Sequence, residues 1–381
     1  MSIKGVFREW GPAWLVMIAD MDAASLITAA QNGVQYGYGL IWFLLFLSVP
    51  LYLVQEVSGR IGVATGKGLA EILRENMGKK VASIAAFPMA IIDFLSYAAE
   101  YTGIAVGMEF VGISPLVSVP IAYFLHLLLV YKRQYMRVEK YLIIGSIFMI
   151  LIYIMAAGFR GYDPYSSPFL FSTSRSFIFL AAANIGAVVM PFMLFYQASA
   201  TAEKRAKSIK LMRVETLVGA LVSESLMVAI EVASTGLNSA NFQNTVLIAR
   251  SLSSLAGPYS PLIFGLALVL SGFIALVIIS LGSAWGVTEA LGIGRRNWFK
   301  VYLAESIPAA ILPLISQSLI NLVLNLMVFE VIALIFPIIL MGLIVSNRKI
   351  MRNYASSKKG MIVYWVVVSL IISGGFLALI Y

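Results

Sequence analysis

Residues 20–25 read Asp-Met-Asp-Ala-Ala-Ser inside an otherwise apolar stretch that runs from Gly11 to Gly33. About 20 apolar residues cross the hydrocarbon of a bilayer as a helix, so Asp20 and Asp22 fall near the middle of a spanning length. A carboxylate at that depth is costly unless it faces protein, water or a cation. Two acids within three residues therefore point to a discontinuous helix whose unwound centre carries a cation site. Asp22 is the first candidate ligand, because hard cations take oxygen donors; the same carboxylate can also cap the half-helix that follows it. Ser25 offers a hydroxyl as a ligand or as a cap. Asp20 is a second acid for the cation's vestibule or for a water-lined path. The pair Met190-Pro191 is the other constellation. Proline removes a backbone donor and opens a helix, and a thioether favours transition metals over Mg²⁺ and Ca²⁺. Most of the 17 methionines serve as adaptable core filling, but the place of Met190 directly before Pro191 favours a ligand role.

Other polar residues lie in apolar surroundings. Glu100 reads as a proton acceptor or cation relay, or as a helix–helix hydrogen-bond partner. Glu224, Glu231, Glu305 and Glu330 are further acids, with Glu231 and Glu305 expected near the membrane interfaces. His126, the only histidine, reads as a packed neutral imidazole. Enzyme chemistry finds no support: there is no His-Glu-x-x-His, no Gly-x-Ser-x-Gly and no cysteine. The stretch Gly62-Val-Ala-Thr-Gly-Lys-Gly68 is one residue short of a phosphate loop and lacks the hydroxyl residue after the lysine. It reads as a loop opening a short helix. No cofactor is expected, and a divalent metal ion enters only as substrate.

The elements that must position these residues follow from hydropathy. Of 381 residues, 60% are hydrophobic and 12% charged, which is a polytopic membrane composition. Spanning-length segments fall at 11–33, 39–58, 81–110, 114–131, 141–158, 177–199, 214–233, 261–289, 301–317, 320–346 and 361–380, eleven in all. All of the 27 lysines and arginines except Arg160, Arg175 and Arg250 fall on one side of that arrangement. The positive-inside rule then places the N-terminus in the cytoplasm and, with an odd count, the C-terminus outside. The net charge of +9 thus belongs to short loops at the lipid bilayer surface, and no nucleic-acid partner is expected. The first stretch does not read as a cleavable signal, since acids interrupt it. The first and sixth segments are both interrupted. If segments 1–5 and 6–10 are two halves, the interruptions hold corresponding places, which marks a transporter's binding site.

The sequence resembles the Nramp family (natural resistance-associated macrophage proteins) of divalent metal-ion transporters. The resemblance rests on Gly11-Pro12 through Asp22, on Arg60 to Glu71 after the second segment, on Ala99-Glu100 and Gly103, and on Gly186-Ala187-Val-Val-Met190-Pro191. It implies an all-α LeuT-type fold with a 5+5 inverted repeat, eleven transmembrane helices and discontinuous helices 1 and 6. Residues 1–158 would hold the first repeat, 177–346 the second and 361–381 an extra helix. It further implies a mid-membrane metal site of Asp22, Ser25 and Met190 with the backbone carbonyls of Ala19 and Ala187. Asp20, Glu100, Asn325 and Glu330 would lie along a proton path or around that site, Asn325 and Glu330 being rivals on the tenth helix. The departures are specific. The family's Asp-Pro-Gly-Asn is here Asp22-Ala23-Ala24-Ser25, Phe192 stands for the family's histidine, and Tyr97 for its third-helix aspartate. The expected function is secondary transport of Mn²⁺- or Fe²⁺-like cations, with the usual proton-coupling residues partly missing. Its rivals are a Mg²⁺-type transporter without proton coupling, an amino-acid or organic-cation carrier, and a non-transporting metal sensor. A cell-membrane location is expected.

Overall fold

The computed structural model describes residues 10–131, 167–206, 208–237, 257–294, 297–315 and 319–380, with most of 143–158. Lys4, Arg8, the basic loop at 132–140, Arg160, Arg250, Arg295 and Arg296 lie outside the described residues. The described chain is helical and, among those residues, contains no strand. In order the helices are α1 (Pro12–Ala19), α2 (Ala23–Tyr36), α3 (Ile41–Thr65), α4 (Leu69–Met77), α5 (Lys79–Glu109) and α6 (Pro115–Tyr131). A shorter α7 (Ile143–Ile152) precedes α8 (Arg175–Val188), α9 (Pro191–Glu203), α10 (Ile209–Ser234) and α11 (Ser260–Leu291). Last come α12 (Trp298–Ile315), α13 (Leu319–Ser346), the short α14 (Arg348–Met351) and α15 (Lys358–Ile380).

Among the described residues eight helices are long and apolar enough to cross a membrane, or nine when α1 and α2 count as one bent span. The helices at Pro115–Tyr131 and Ile143–Ile152 are apolar but shorter. Each of the eleven expected segments therefore meets a helix, with several reaching further than hydropathy alone suggests: α3 continues to Thr65 and α10 begins at Ile209. The short helix expected after Gly68 is α4.

Local chemistry sets the ends. Pro12 occupies the first turn of α1, where its missing N–H costs nothing. Ser174 and Ser208 cap α8 and α10 through their hydroxyls, and Gly66 and Gly292 close α3 and α11 in the left-handed conformation. The cations of one end also meet there. Arg60 donates to the Tyr354 carbonyl, Arg213 pairs with Glu56, and Arg74 donates to the Glu289 carbonyl. Lys204 donates to the Trp10 carbonyl. These contacts gather the ends of α3, α9, α10 and α11 with α4 on one face of the bundle.

The centre of the fold is α5 laid along α11, with α2 against α8 and α10, and α13 against α8 and α5. Small residues permit the closest crossings, as in membrane bundles generally. A Cβ at Gly103 would lie 2.0 Å from the Ala23 side chain, and one at Gly186 would lie 1.7 Å from the Met327 carbonyl. Gly103 thus lets α5 approach the start of α2, and Gly186 lets α8 approach α13. Gly103→Ala should lower thermal stability by about 1–3 kcal/mol, the usual cost of overpacking. Gly360→Ala, where the nearest atom is 3.4 Å away, should leave the midpoint unchanged or slightly raised in the same detergent melt.

Candidate metal site

α1 and α2 are one span bent by 49° across Asp20, Met21 and Asp22. In a continuous helix the Ala23 N–H would return to the carbonyl of Ala19, four residues back. Here it donates to Oε2 of Glu100 on α5, at 3.0 Å. Asp22 takes the N-cap position of α2, its backbone extended and its Oδ1 accepting from the Ser25 N–H at 2.7 Å. Its Oδ2 has no partner, and the residue is 0% exposed. The cap reading of Asp22 is thereby realised with one oxygen, while the other stays open.

The second break has a covalent cause. Pro191 begins α9 and has no N–H, so the carbonyl of Ala187, four residues earlier, has no helical donor. Val189 and Met190 leave helical geometry, and Met190 stands extended before Pro191. The freed Ala187 carbonyl accepts instead from the Ser25 hydroxyl at 3.1 Å. That single bond joins the two breaks across 162 residues of chain. Ala19, Asp22, Ser25, Ala187 and Met190 are all buried, and hydrogen bonds link Asp22 to Ser25 and Ser25 to Ala187.

Further acids surround it. Asp20 accepts from the Ser223 hydroxyl of α10 at 2.5 Å, and its Oδ1 is unpartnered. The neighbouring Glu224 has neither carboxyl oxygen partnered. Glu330 on α13 accepts from Ser96 at 2.6 Å and lies within electrostatic reach of Asp22. Of the two α13 rivals, Glu330 is buried while Asn325 lies on the exposed face of the helix. Glu231 and Glu305 are both buried: Glu231 accepts from the Leu40 N–H and Glu305 from Ser283. His126 is buried as expected, but it bridges Tyr101 and Ser280 at 2.8 Å each and does not merely pack among Leu and Phe. Phe192 is wholly buried.

Three functional groups escaped sequence reading. Glu215 of α10 accepts from the N–H groups of Gly11 at 2.6 Å and Trp14 at 2.8 Å, so an anion holds the positive end of α1. Asn32 and Asn184 exchange amide hydrogen bonds at 2.9–3.0 Å between α2 and α8. Asp93 sits two turns before Glu100 on α5, which is the signal that could have found it. Among the described residues no three of His, Cys, Asp and Glu stand close enough to hold one ion.

A membrane bundle in which two broken helices face each other and present backbone and carboxylate oxygens belongs to the class of secondary transporters. The chain belongs to the Nramp family: the model of natural resistance-associated macrophage protein-like sequences matches residues 13–380. The protein is 24% identical over 397 residues to the divalent metal cation transporter MntH of Bacillus subtilis, with 98% of this chain and 92% of that protein covered. It is 25% identical over 386 residues to MntH of Klebsiella pneumoniae, with 95% and 91% covered. In fold it is similar to the crystal structure of the Eremococcus coleocola manganese transporter in complex with an aromatic bis-isothiourea substituted compound. The TM-score is 0.83 at 17% identity, covering 98% of this chain and 86% of that one.

The Ser25 hydroxyl links the two breaks, which makes it a local test of the geometry. Ser25→Ala should lower the thermal midpoint by an amount equivalent to about 1–3 kcal/mol, because the Ala187 carbonyl is left buried without a donor. An unchanged midpoint would show that the carbonyl finds another donor.

Proposed function

We propose that this protein carries a divalent metal cation of the Mn²⁺ or Fe²⁺ kind across a cell membrane as a secondary transporter. The ion is held mid-membrane between the breaks of α1/α2 and α8/α9. The observation that carries the reading is the open, fully buried Oδ2 of Asp22 beside the Ser25–Ala187 bond. A lone carboxylate oxygen in that position asks for a cation. Asp22 supplies the charge, Met190 the soft donor, and the carbonyls of Ala19 and Ala187 with the Ser25 hydroxyl the neutral contacts. The Ser25–Ala187 bond opens when the ion takes both oxygens. Binding then rewards a movement of α1/α2 against α8/α9, the coupling of ligand to conformation that transport needs. The relatives named as divalent metal cation transporters and as a manganese transporter support the same reading.

The division into residues 1–158 and 177–346 as inverted repeats, with 361–381 appended, belongs to this proposal. So does a cytoplasmic N-terminus, favoured by the cationic face that gathers α3, α4, α9, α10 and α11. Protons have candidate carriers in Glu100 and Asp20, which stand on either side of Asp22. Phe192 and Tyr97 offer no titration in the physiological range where the family has a histidine and an aspartate. The complete burial of the site's donors favours an ion over an amino acid or organic cation, and the thioether favours a transition metal over Mg²⁺.

Mn²⁺ uptake into proteoliposomes, with Mg²⁺ in large excess and internal pH followed, tests the proposal. The protein should admit Mn²⁺ despite the Mg²⁺, and Asp22→Ala should abolish uptake. Met190→Ala should retain uptake but lose about tenfold or more of the Mn²⁺ preference, equivalent to about 1.4 kcal/mol. Normal Mn²⁺ transport by Asp22→Ala would remove the site; block of the wild type by Mg²⁺ would make it a hard-cation carrier.

A further inference from the structure

The turn that leads from α13 into α15 carries unmatched positive charge. Arg348, Lys349, Arg352, Lys358 and Lys359 fall within twelve residues, and no aspartate or glutamate follows Glu330 in the sequence. All five side chains are exposed, and among the described residues none of them forms an ion pair. The turn is fastened to the bundle by its backbone. The Ser356 N–H donates to the Val345 carbonyl at 2.9 Å, and Arg60 of α3 donates to the Tyr354 carbonyl at 3.3 Å. Arg60 in turn shares Glu56 with Arg213, so the acid in that corner already serves two cations. Met361, Ile362, Trp365, Val366, Ser369 and Leu370 line an open furrow along α15. At 3.6 residues per turn, Lys358, Ile362, Trp365 and Ser369 follow one line down the helix, and Lys359, Val363, Val366 and Leu370 follow the next. A lysine heads each line. Lys358 to Ser369 is about 16 Å along the axis, about half the hydrocarbon thickness of a bilayer and so one leaflet. A Cβ at Gly342 of α13 would lie 2.8 Å from the Trp365 ring, so the indole rests on α13 and gives the furrow a fixed wall.

We propose that this corner binds an anionic phospholipid, with its phosphate at Lys358 and Lys359 and an acyl chain along the furrow of α15. The cations at 348, 349 and 352 add to the local potential. Basic residues clustered at the end of a spanning helix attract anionic headgroups, each lysine or arginine adding to the attraction. A zwitterionic lipid brings its own cation and gains little from a surplus of positive charge. A soluble polyanion would meet the lysines but could not use the furrow, which belongs to a helix long and apolar enough to cross a membrane. Charge at the head and apolar surface along one leaflet's depth together fit a lipid, and neither alone selects one.

Lipid binding here is independent of which ion the protein carries. The test reconstitutes the full chain in phosphatidylcholine bilayers with phosphatidylglycerol as a minor component, one or the other lipid carrying brominated acyl chains. Bromine quenches tryptophan fluorescence on contact. Trp365 is one of six tryptophans, so its signal is taken as the difference between the wild type and Trp365→Phe. Quenching at Trp365 should show phosphatidylglycerol preferred over phosphatidylcholine by about tenfold in relative association constant. Lys358→Gln with Lys359→Gln should bring that preference close to one, and Lys358→Arg with Lys359→Arg should restore it. Lys79→Gln with Lys80→Gln, an exposed pair at the start of α5, should leave it unchanged. The preference should fall as salt is raised. No preference at Trp365 in the wild type, its survival in the double glutamine variant, or an equal loss on changing Lys79 and Lys80 would each overturn the proposal. Abolition of the preference by inorganic phosphate at constant ionic strength would also overturn it, because the corner would then be a site for a soluble anion.

Discussion

Hydrocarbon offers no hydrogen bonds, so a chain that crosses it must satisfy every backbone group from within. The fold depends on how this protein meets that constraint at two places where its helices stop. At the first break the Ala23 N–H is received by Glu100. At the second the Ala187 carbonyl is met by Ser25. Each break is closed by a group from another helix, so the interruptions exist only inside the assembled bundle. Beside these bonds Asp22 caps α2 with one oxygen and keeps the other open.

That arrangement explains where close packing is needed. Glu100 reaches Ala23 because α5 lies against α2 at Gly103, and Gly186 brings α8 equally close to α13. Glu215 receives the first N–H groups of α1 and Ser223 donates to Asp20 at its last turn, so α10 holds both ends of the first half-helix. A transporter must let such a half-helix move, and these few polar bonds in an apolar interior are contacts of the kind that exchange between two states. The apolar remainder of the bundle supplies the rigid frame.

Acids dominate the interior. Asp20, Asp22, Asp93, Glu100, Glu224, Glu231 and Glu330 are all at most 1% exposed. The cationic side chains that form ion pairs, Arg60, Lys67 and Arg213, lie at one end of the bundle with Glu56, Glu71 and Glu75. Carboxyl groups at depth, with the cations of these ion pairs at the rim, place oxygen donors where a cation in the interior would meet them. It accords with relatives named as divalent metal cation transporters.

What the sequence by itself determined is what covalent chemistry and hydropathy decide locally. The apolar segments announce the membrane helices, and Asp20 and Asp22 in one of them announce the break between α1 and α2. Pro191 breaks its helix in any fold, because it has no N–H to give. The order of the motifs identifies the family. Tertiary structure alone decided which groups answer the breaks. Ser25 and Ala187 lie 162 residues apart, and Ala23 and Glu100 lie 77 apart; no local pattern encodes such distances. It also decided facing: Glu330 turns inward and Asn325 outward on one helix. A helix as apolar as α13 carries little amphipathic signal, so the rotation that sets these directions comes from packing against α5 and α8, which forms only when the bundle closes.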